Sequence, residues 1–380
     1  MNSKERVLAA LEGRIPDRVP WGEFAVDFDT VERIIGHETY LRAKARSQIA
    51  FWEGRQDEVA ESYRRDHIEL HRRLELDIVT FPMATWEIPP ESDDAPPRRI
   101  DDSTWEDKYG RVFRYSAQTE DITCIKDPAR EARIFTLDDF RREPSAPSRR
   151  DARSWSVLDA VVREFKDRKF ICGPSGGIVG LVLPGGLEKA SLALLEEPEL
   201  IAAATDWTRR EQDLADPVRI HPDSDAVLPA HDFGHNSGPF VGPDMFRRYF
   251  LEANKARVFR LHRDFGKKLI LHSCGNVNSY LDFFVDMAID AYQSIQPTAG
   301  MDICRLKKSH GTKFALWGGV SLENLIAGTP DEVRQEVRRA MACAKEGGRF
   351  ILGTSHSIAV GSRYENVMAM IDEYHKLADY

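Results

Sequence analysis

Cysteine is scarce in this chain: 380 residues hold five, at positions 124, 172, 274, 304 and 343. An odd, widely dispersed set of this kind argues against a disulfide framework and predicts reduced thiols in a cytoplasmic protein. Long apolar runs are missing too. No stretch approaches the roughly 20 apolar residues of a membrane span, and residues 1–6 open an amphipathic helix without the apolar core of a secretory signal. Positive charge is not in excess, since the net charge is −9 and Lys and Arg are scattered among acids. That excludes a general nucleic-acid binder, and Arg149-Arg150 and Arg338-Arg339 read as solvated helix faces. No tandem repeat of roughly 20–50 residues is visible. No Lys follows the glycines of residues 173–177 at phosphate-loop spacing, so that turn reads as a lead onto a helix.

What is present is an alternation of short apolar runs with helical patterns. About eight runs read as strands, at 19–23, 78–81, 169–173, 226–230, 268–272, 291–295, 313–317 and 350–353. Most are apolar throughout, as strands covered on both faces should be. Residues 244–265 and 331–345 carry helical periodicity. The second has Thr329 as its N-cap, Pro330 at the first helical position and Gly347-Gly348 as its stop. Repeated strand–helix units predict a single α/β domain over residues 1–380, a closed (β/α)8 TIM barrel. Residues 89–150, rich in Pro, Asp and Arg, interrupt the rhythm and read as an excursion after strand two that covers the barrel mouth. Within it, residues 103–115 read as two strands around a Lys-Tyr-Gly turn.

In such a barrel the chemistry sits at the carboxyl ends of the strands. The most telling of these ends is His272-Ser-Cys274, followed by Gly275. Alternate strand residues face one way, so imidazole and thiol converge, and zinc favours nitrogen and sulfur donors. A catalytic zinc needs three protein ligands, and His356, at the end of the last strand, is the expected third, its alternative being a substrate contact. Asp232 either completes the set or orients a ligand imidazole; Cys304 is a weaker ligand candidate and otherwise core. His231, Asp232, His235 and Glu23 are the expected catalytic acid–base groups. Trp21, Asn236, Gln296 and Trp317 are the expected substrate contacts, the tryptophans walling an aromatic ligand at the mouth. Asp77, placed before its strand, reads as structural.

Several segments together resemble the uroporphyrinogen decarboxylase superfamily: residues 3–13, 16–20, 109–111, 231–234, 266–275, 296–302, 317–320, 353–358 and 365–370. The likeness is greater to its methyltransferase-type branch. That resemblance implies a (β/α)8 barrel, often dimeric, with its site at the carboxyl face. It also implies zinc bound by a His-x-Cys pair plus a later Cys, and transfer of a methyl group between a small substrate and a cobalamin on a partner protein. His272 and Cys274 match the pair, whereas His356 stands where the later Cys is expected. The decarboxylase itself has a histidine in a similar Gly-x-x-His context that contacts substrate. Its arginine-rich loop is missing after Pro20, where residues 21–28 stand instead. The expected function is therefore a zinc-dependent methyltransferase acting on a methylated small molecule such as a methoxylated aromatic, a thiol or an amine. The alternatives are a tetrapyrrole decarboxylase and a non-catalytic ligand-binding barrel.

Overall fold

The structure, a computed structural model, describes residues 1–82, 85–92, 94–147, 152–181 and 187–380. Arg149 and Arg150, and with them the end of the 89–150 excursion, lie outside the described residues. In chain order the strands are β1 (Ile78–Thr80), β2 (Arg98–Arg99), β3 (Thr104–Glu106), β4 (Val112–Ser116), β5 (Asp121–Lys126), β6 (Phe170–Gly173) and β7 (Ala226–Val227). There follow β8 (Gly234–His235), β9 (Gly238–Pro239), β10 (Lys268–His272), β11 (Ala291–Gln293), β12 (Ala315–Val320) and β13 (Phe350–Thr354).

Seven of these form one parallel sheet in the order β1-β6-β7-β10-β11-β12-β13. Each matches an expected strand. The eighth expected strand, at 19–23, is present only as a one-residue bridge: Trp21 pairs parallel with Leu352 of β13, while Asp77, next to β1, donates its N–H to the Trp21 carbonyl. One segment therefore touches both edges of the sheet, which must curl to meet it. The reason that no full strand forms is local. Pro20 has no N–H to give, and the Trp21 N–H is taken by the Asp77 carboxylate at 2.9 Å.

Inside the curl, Ile78, Phe170, Ala226, Ile270, Ala291, Ala315 and Ile351 form one buried cluster with Val7, Ala10 and Leu11 of the helix Ser3–Leu11. These are inward residues of successive strands, one per strand. Two residues further on, at the next inward position, lie His272, Gln293 and Trp317, paired side by side across β10, β11 and β12. A second, larger core lies between the sheet and the surrounding helices. Helix Pro330–Ala344 starts as its sequence predicts, with a reciprocal Thr329–Glu332 capping box and Pro330 in the first turn.

The excursion contains the antiparallel sheet β2-β3-β4-β5, whose β3–β4 pair is the expected hairpin. It packs on helix Lys44–Trp52, with Trp52 against Trp105 and Phe113 at 5.8 and 5.4 Å between ring centres. A further expectation fails. Cys304 and Cys343 are joined as a disulfide with their Cα atoms 5.2 Å apart, because helices Ile303–His310 and Pro330–Ala344 pack side by side. The thiols of Cys124, Cys172 and Cys274 are free. Among the described residues no helix is long and apolar enough to cross a membrane.

Candidate metal centre

The inward layer at the carboxyl end of the sheet builds the site. His272 closes β10, Cys274 follows two residues later, and His356 arrives from the turn after β13. One ligand-type atom from each lies within 4.8 Å of the other two. The Cys274 Sγ is 3.3 Å from His272 Nε2, and the two imidazole planes meet nearly at right angles, centres 5.5 Å apart. The three residues named as ligands from sequence are thus brought together.

Their orientation is set by neighbours that the sequence reading missed. Gln293 donates its amide N–H to the His356 carbonyl at 3.1 Å, so its amide oxygen faces His272 Nδ1. An oxygen there accepts only, so Nδ1 carries the proton and Nε2 keeps its lone pair toward Cys274. Ser294, the next residue, lies 3.7 Å from the Cys274 sulfur and donates to the Ser355 carbonyl at 2.5 Å. The end of β11 therefore ties both ligand-bearing turns together. A polar Gln-Ser pair inside the apolar run 291–295 was the available signal. Phe24 stacks flat on His272, centres 3.9 Å apart, and shields its other face. Gly275, at φ +80°, permits a close approach: a Cβ there would lie 2.4 Å from the Gly234 carbonyl group.

Burial sets the protonation states. It lowers His272 to about 4 and also lowers His356, so both rings are neutral near pH 7 with lone pairs available. Burial pushes the Cys274 thiol up to about 12, with Asp232 adding in the same direction. A soft divalent cation at this point reverses that preference, because a coordinated thiol is deprotonated outright. Two neutral imidazoles and one sulfur are the donor set that zinc takes, with a position left for substrate, so the residues fit the metal.

The other expected site residues divide. Asp232 Oδ1 accepts the Cys274 N–H at 2.9 Å and stands 3.9 Å from His272 Nε2, at the edge of the cluster. His231 is half-buried beside it, lowered below its ordinary value by burial. Gln296 holds the turn after Cys274, its Oε1 accepting the Gly275 N–H at 2.7 Å. His235 and Asn236 lie on the exposed β8–β9 hairpin, His235 bonded to Ser237. Glu23 is buried and bonded to Thr354 N, Thr354 Oγ1 and Trp21 Nε1; burial raises it to about 7. Trp21 and Trp317 need correction. They are 1% and 0% exposed, and the Trp317 indole donates to the Gly22 carbonyl at 2.8 Å, so both fill the core rather than wall an open mouth. Cys304, in its disulfide, is no ligand. Asp77 is structural: it accepts from Arg6 at 2.6 Å.

The profile of the uroporphyrinogen decarboxylase (URO-D) family matches residues 223–377, the part that carries His231, Asp232, His272, Cys274 and His356. A solved methyltransferase from Methanosarcina mazei superposes with a TM-score of 0.64 at 17% identity, covering 99% of each chain. That match establishes a shared fold. A Listeria monocytogenes protein, solved as a candidate vitamin-B12 independent methionine synthase, gives a TM-score of 0.38 at 11% identity, covering 95% of this chain and 96% of that one. None of the curated proteins matches the sequence.

Proposed function

We propose that this protein is a zinc-dependent methyltransferase that moves a methyl group between a small methylated substrate and a cobalamin carried by a partner protein. The observation that carries the reading is the convergence of His272, Cys274 and His356 donor atoms within 4.8 Å at the carboxyl end of the sheet. Zinc held there by His272, Cys274 and His356 would supply Lewis acidity to the heteroatom of a methyl ether or thiol, making it a better leaving group or nucleophile. A cobalamin on the partner protein would supply the strong nucleophile that a methyl carbon bound to oxygen or nitrogen needs.

The chain's own residues do the rest. Gln293 holds His272 in the tautomer that points Nε2 at the shared centre. Phe24 keeps water from one face of that imidazole. Asp232, fixed by the Cys274 N–H, and the neutral His231 beside it are placed to hold or pass a proton at the departing heteroatom. Fold likeness to a methyltransferase and the URO-D profile over residues 223–377 support this reading.

Metal analysis of the purified protein tests it. The wild type should hold one zinc per chain and Cys274→Ser little or none, with both folded by circular dichroism. A metal-free wild type, or equal zinc in Cys274→Ser, overturns the proposal. The URO-D profile also favours a second reading, a tetrapyrrole decarboxylase; release of CO₂ from uroporphyrinogen, insensitive to chelators, would establish that reading instead.

A further inference from the structure

We propose that Cys304 and Cys343 form a thiol–disulfide exchange site, and that its redox state sets how firmly the turn after Cys274 is held. The site takes small thiols and disulfides of the glutathione type and needs neither a metal nor a methyl group.

The two cysteines occupy opposite electrical ends of their helices. Cys304 is the second residue of helix Ile303–His310, behind the N-cap Asp302, and Cys343 is the second from the end of helix Pro330–Ala344. The N–H groups at a helix start favour a thiolate, and the carbonyls at a helix end oppose one. Cys304 is therefore the better leaving group, which directs an incoming thiolate to the Cys343 sulfur. Both residues are half-buried, leaving an edge for a small thiol, whereas Cys172 is 1% exposed inside the sheet. The exchange balances. The first thiolate bonds to the Cys343 sulfur as the S–S bond breaks and Cys304 leaves. A second thiolate then takes the small molecule off as its disulfide and frees Cys343. Two electrons pass from two small thiols to the protein, and the two cysteines take up the two protons those thiols lose.

The pair matters because of what it anchors. Helix Ile303–His310 begins where the turn 296–301 ends, and that turn supports the one after Cys274. The Gln296 carbonyl accepts the Ala299 and Met301 N–H groups at 3.1 and 3.0 Å, while its side-chain Oε1 accepts the Gly275 N–H at 2.7 Å. Asn278 Nδ2 donates to the Gly300 carbonyl at 3.2 Å. Arg305, in the first turn of the helix, reaches the same carbonyl and the Asn278 Oδ1. The turn after Cys274 then runs into Tyr280, one wall of the aromatic pocket that Phe233, Phe240, Phe246 and Phe250 form beside Asp232. At the start of the helix the disulfide is joined by one ion pair, Asp302 with Arg339, whose side chains face solvent; such a pair holds little. Reduction leaves that junction to the ion pair and to packing, and a weakly held junction opens locally before the fold does.

The test equilibrates the full chain in buffers of graded reduced to oxidised glutathione, with free thiols located by alkylation and mass spectrometry. Cys304 and Cys343 should pass reversibly between disulfide and dithiol across the series, where a purely structural disulfide resists the glutathione pool. Amide hydrogen exchange in peptides 274–280 and 296–303 should be at least about threefold faster in the reduced protein, with β1 and β6 unchanged. Toward iodoacetamide at about pH 7, Cys304 in Cys343→Ser should react about tenfold faster than Cys343 in Cys304→Ser. The redox and exchange measurements on the wild type decide the matter even if neither serine variant folds. A pair that stays oxidised or stays reduced at every ratio, equal exchange of the two peptides in both states, or an equal or faster reaction at Cys343 overturns the proposal.

Discussion

The two ends of the parallel sheet handle polar groups in opposite ways. At the amino end, Arg6 lies between two carboxylates, 2.6 Å from Asp77 and 2.8 Å from Asp17. The other Asp77 oxygen takes the Trp21 N–H, and the Arg6 guanidinium holds the Asp17 carboxyl well below the usual carboxylate range. Opposite charges there satisfy one another. At the carboxyl end, His272, Cys274 and His356 turn electron-pair donors toward one point, among the neutral side chains of Gln293, Ser294 and Ser357 and with the Asp232 carboxylate at the edge. A closed set of ion pairs locks a fold. A set of converging nitrogen and sulfur donors is the arrangement that a soft cation takes. This is the division of labour expected between the two faces of a barrel-like sheet, stability below and chemistry above.

The contrast can be broken from either end. The largest effect belongs to Asp77→Ala, which takes from the buried Arg6 guanidinium one of its two carboxylates and from the Trp21 N–H its acceptor. It should cost about 3–5 kcal/mol in denaturant unfolding while zinc content per folded chain stays at the wild-type level. A cost under about 1 kcal/mol would remove the amino end as a stability device.

Glu23 comes next, because it belongs to neither pattern: a buried carboxyl at about 7 against an ordinary 4.5. Burial favours its protonated form, so the folded chain holds this proton after the unfolded chain has released it. Its contribution to stability is therefore fully present below about 4.5 and is lost as pH rises toward about 7, by up to about 3 kcal/mol. Glu23→Gln should abolish that slope. Unfolding free energies of both proteins at several pH values between 4 and 8 check this, and parallel profiles would count against it.

The finest probe is Gln293. Gln293→Leu should lower zinc affinity by roughly 10–100-fold, measured by competition with a chelator. Gln293→Glu, which keeps an acceptor for His272 Nδ1, should retain most of it. Equal loss in both variants would mean that the side chain merely packs.

Much of this was legible in the sequence, and the gaps have physical causes. Seven strands were visible as apolar runs, since burial on both faces leaves a signal in every residue. The run at 19–23 looked the same, yet its hydrogen bonds are diverted by Pro20 and by a carboxylate 56 residues away, which no local pattern reports. His272 and Cys274 were readable because one strand's alternation places them together. Trp21 and Trp317 were misplaced because tryptophan suits a core and a ligand wall equally, and composition does not tell which way a strand residue faces once the sheet curls. Phe246 and Phe250, four residues apart, carry no signal of a pocket in the sequence; Phe233 and Tyr280 meet Phe246 only in the fold. The pairing of Cys304 with Cys343, 39 residues on, required knowing that their two helices are neighbours.

By itself the sequence determined the strand–helix alternation, the capped helix after Thr329 and the His272–Cys274 pair at the end of β10, because each depends on periodicity or on residues a few positions apart. Only the tertiary structure decided that Gln293 orients His272, that His356 completes the triad and that an aromatic pocket opens beside it. Gln293 meets His272 and His356 across 21 and 63 residues of chain, and such distances exist only once the sheet has curled.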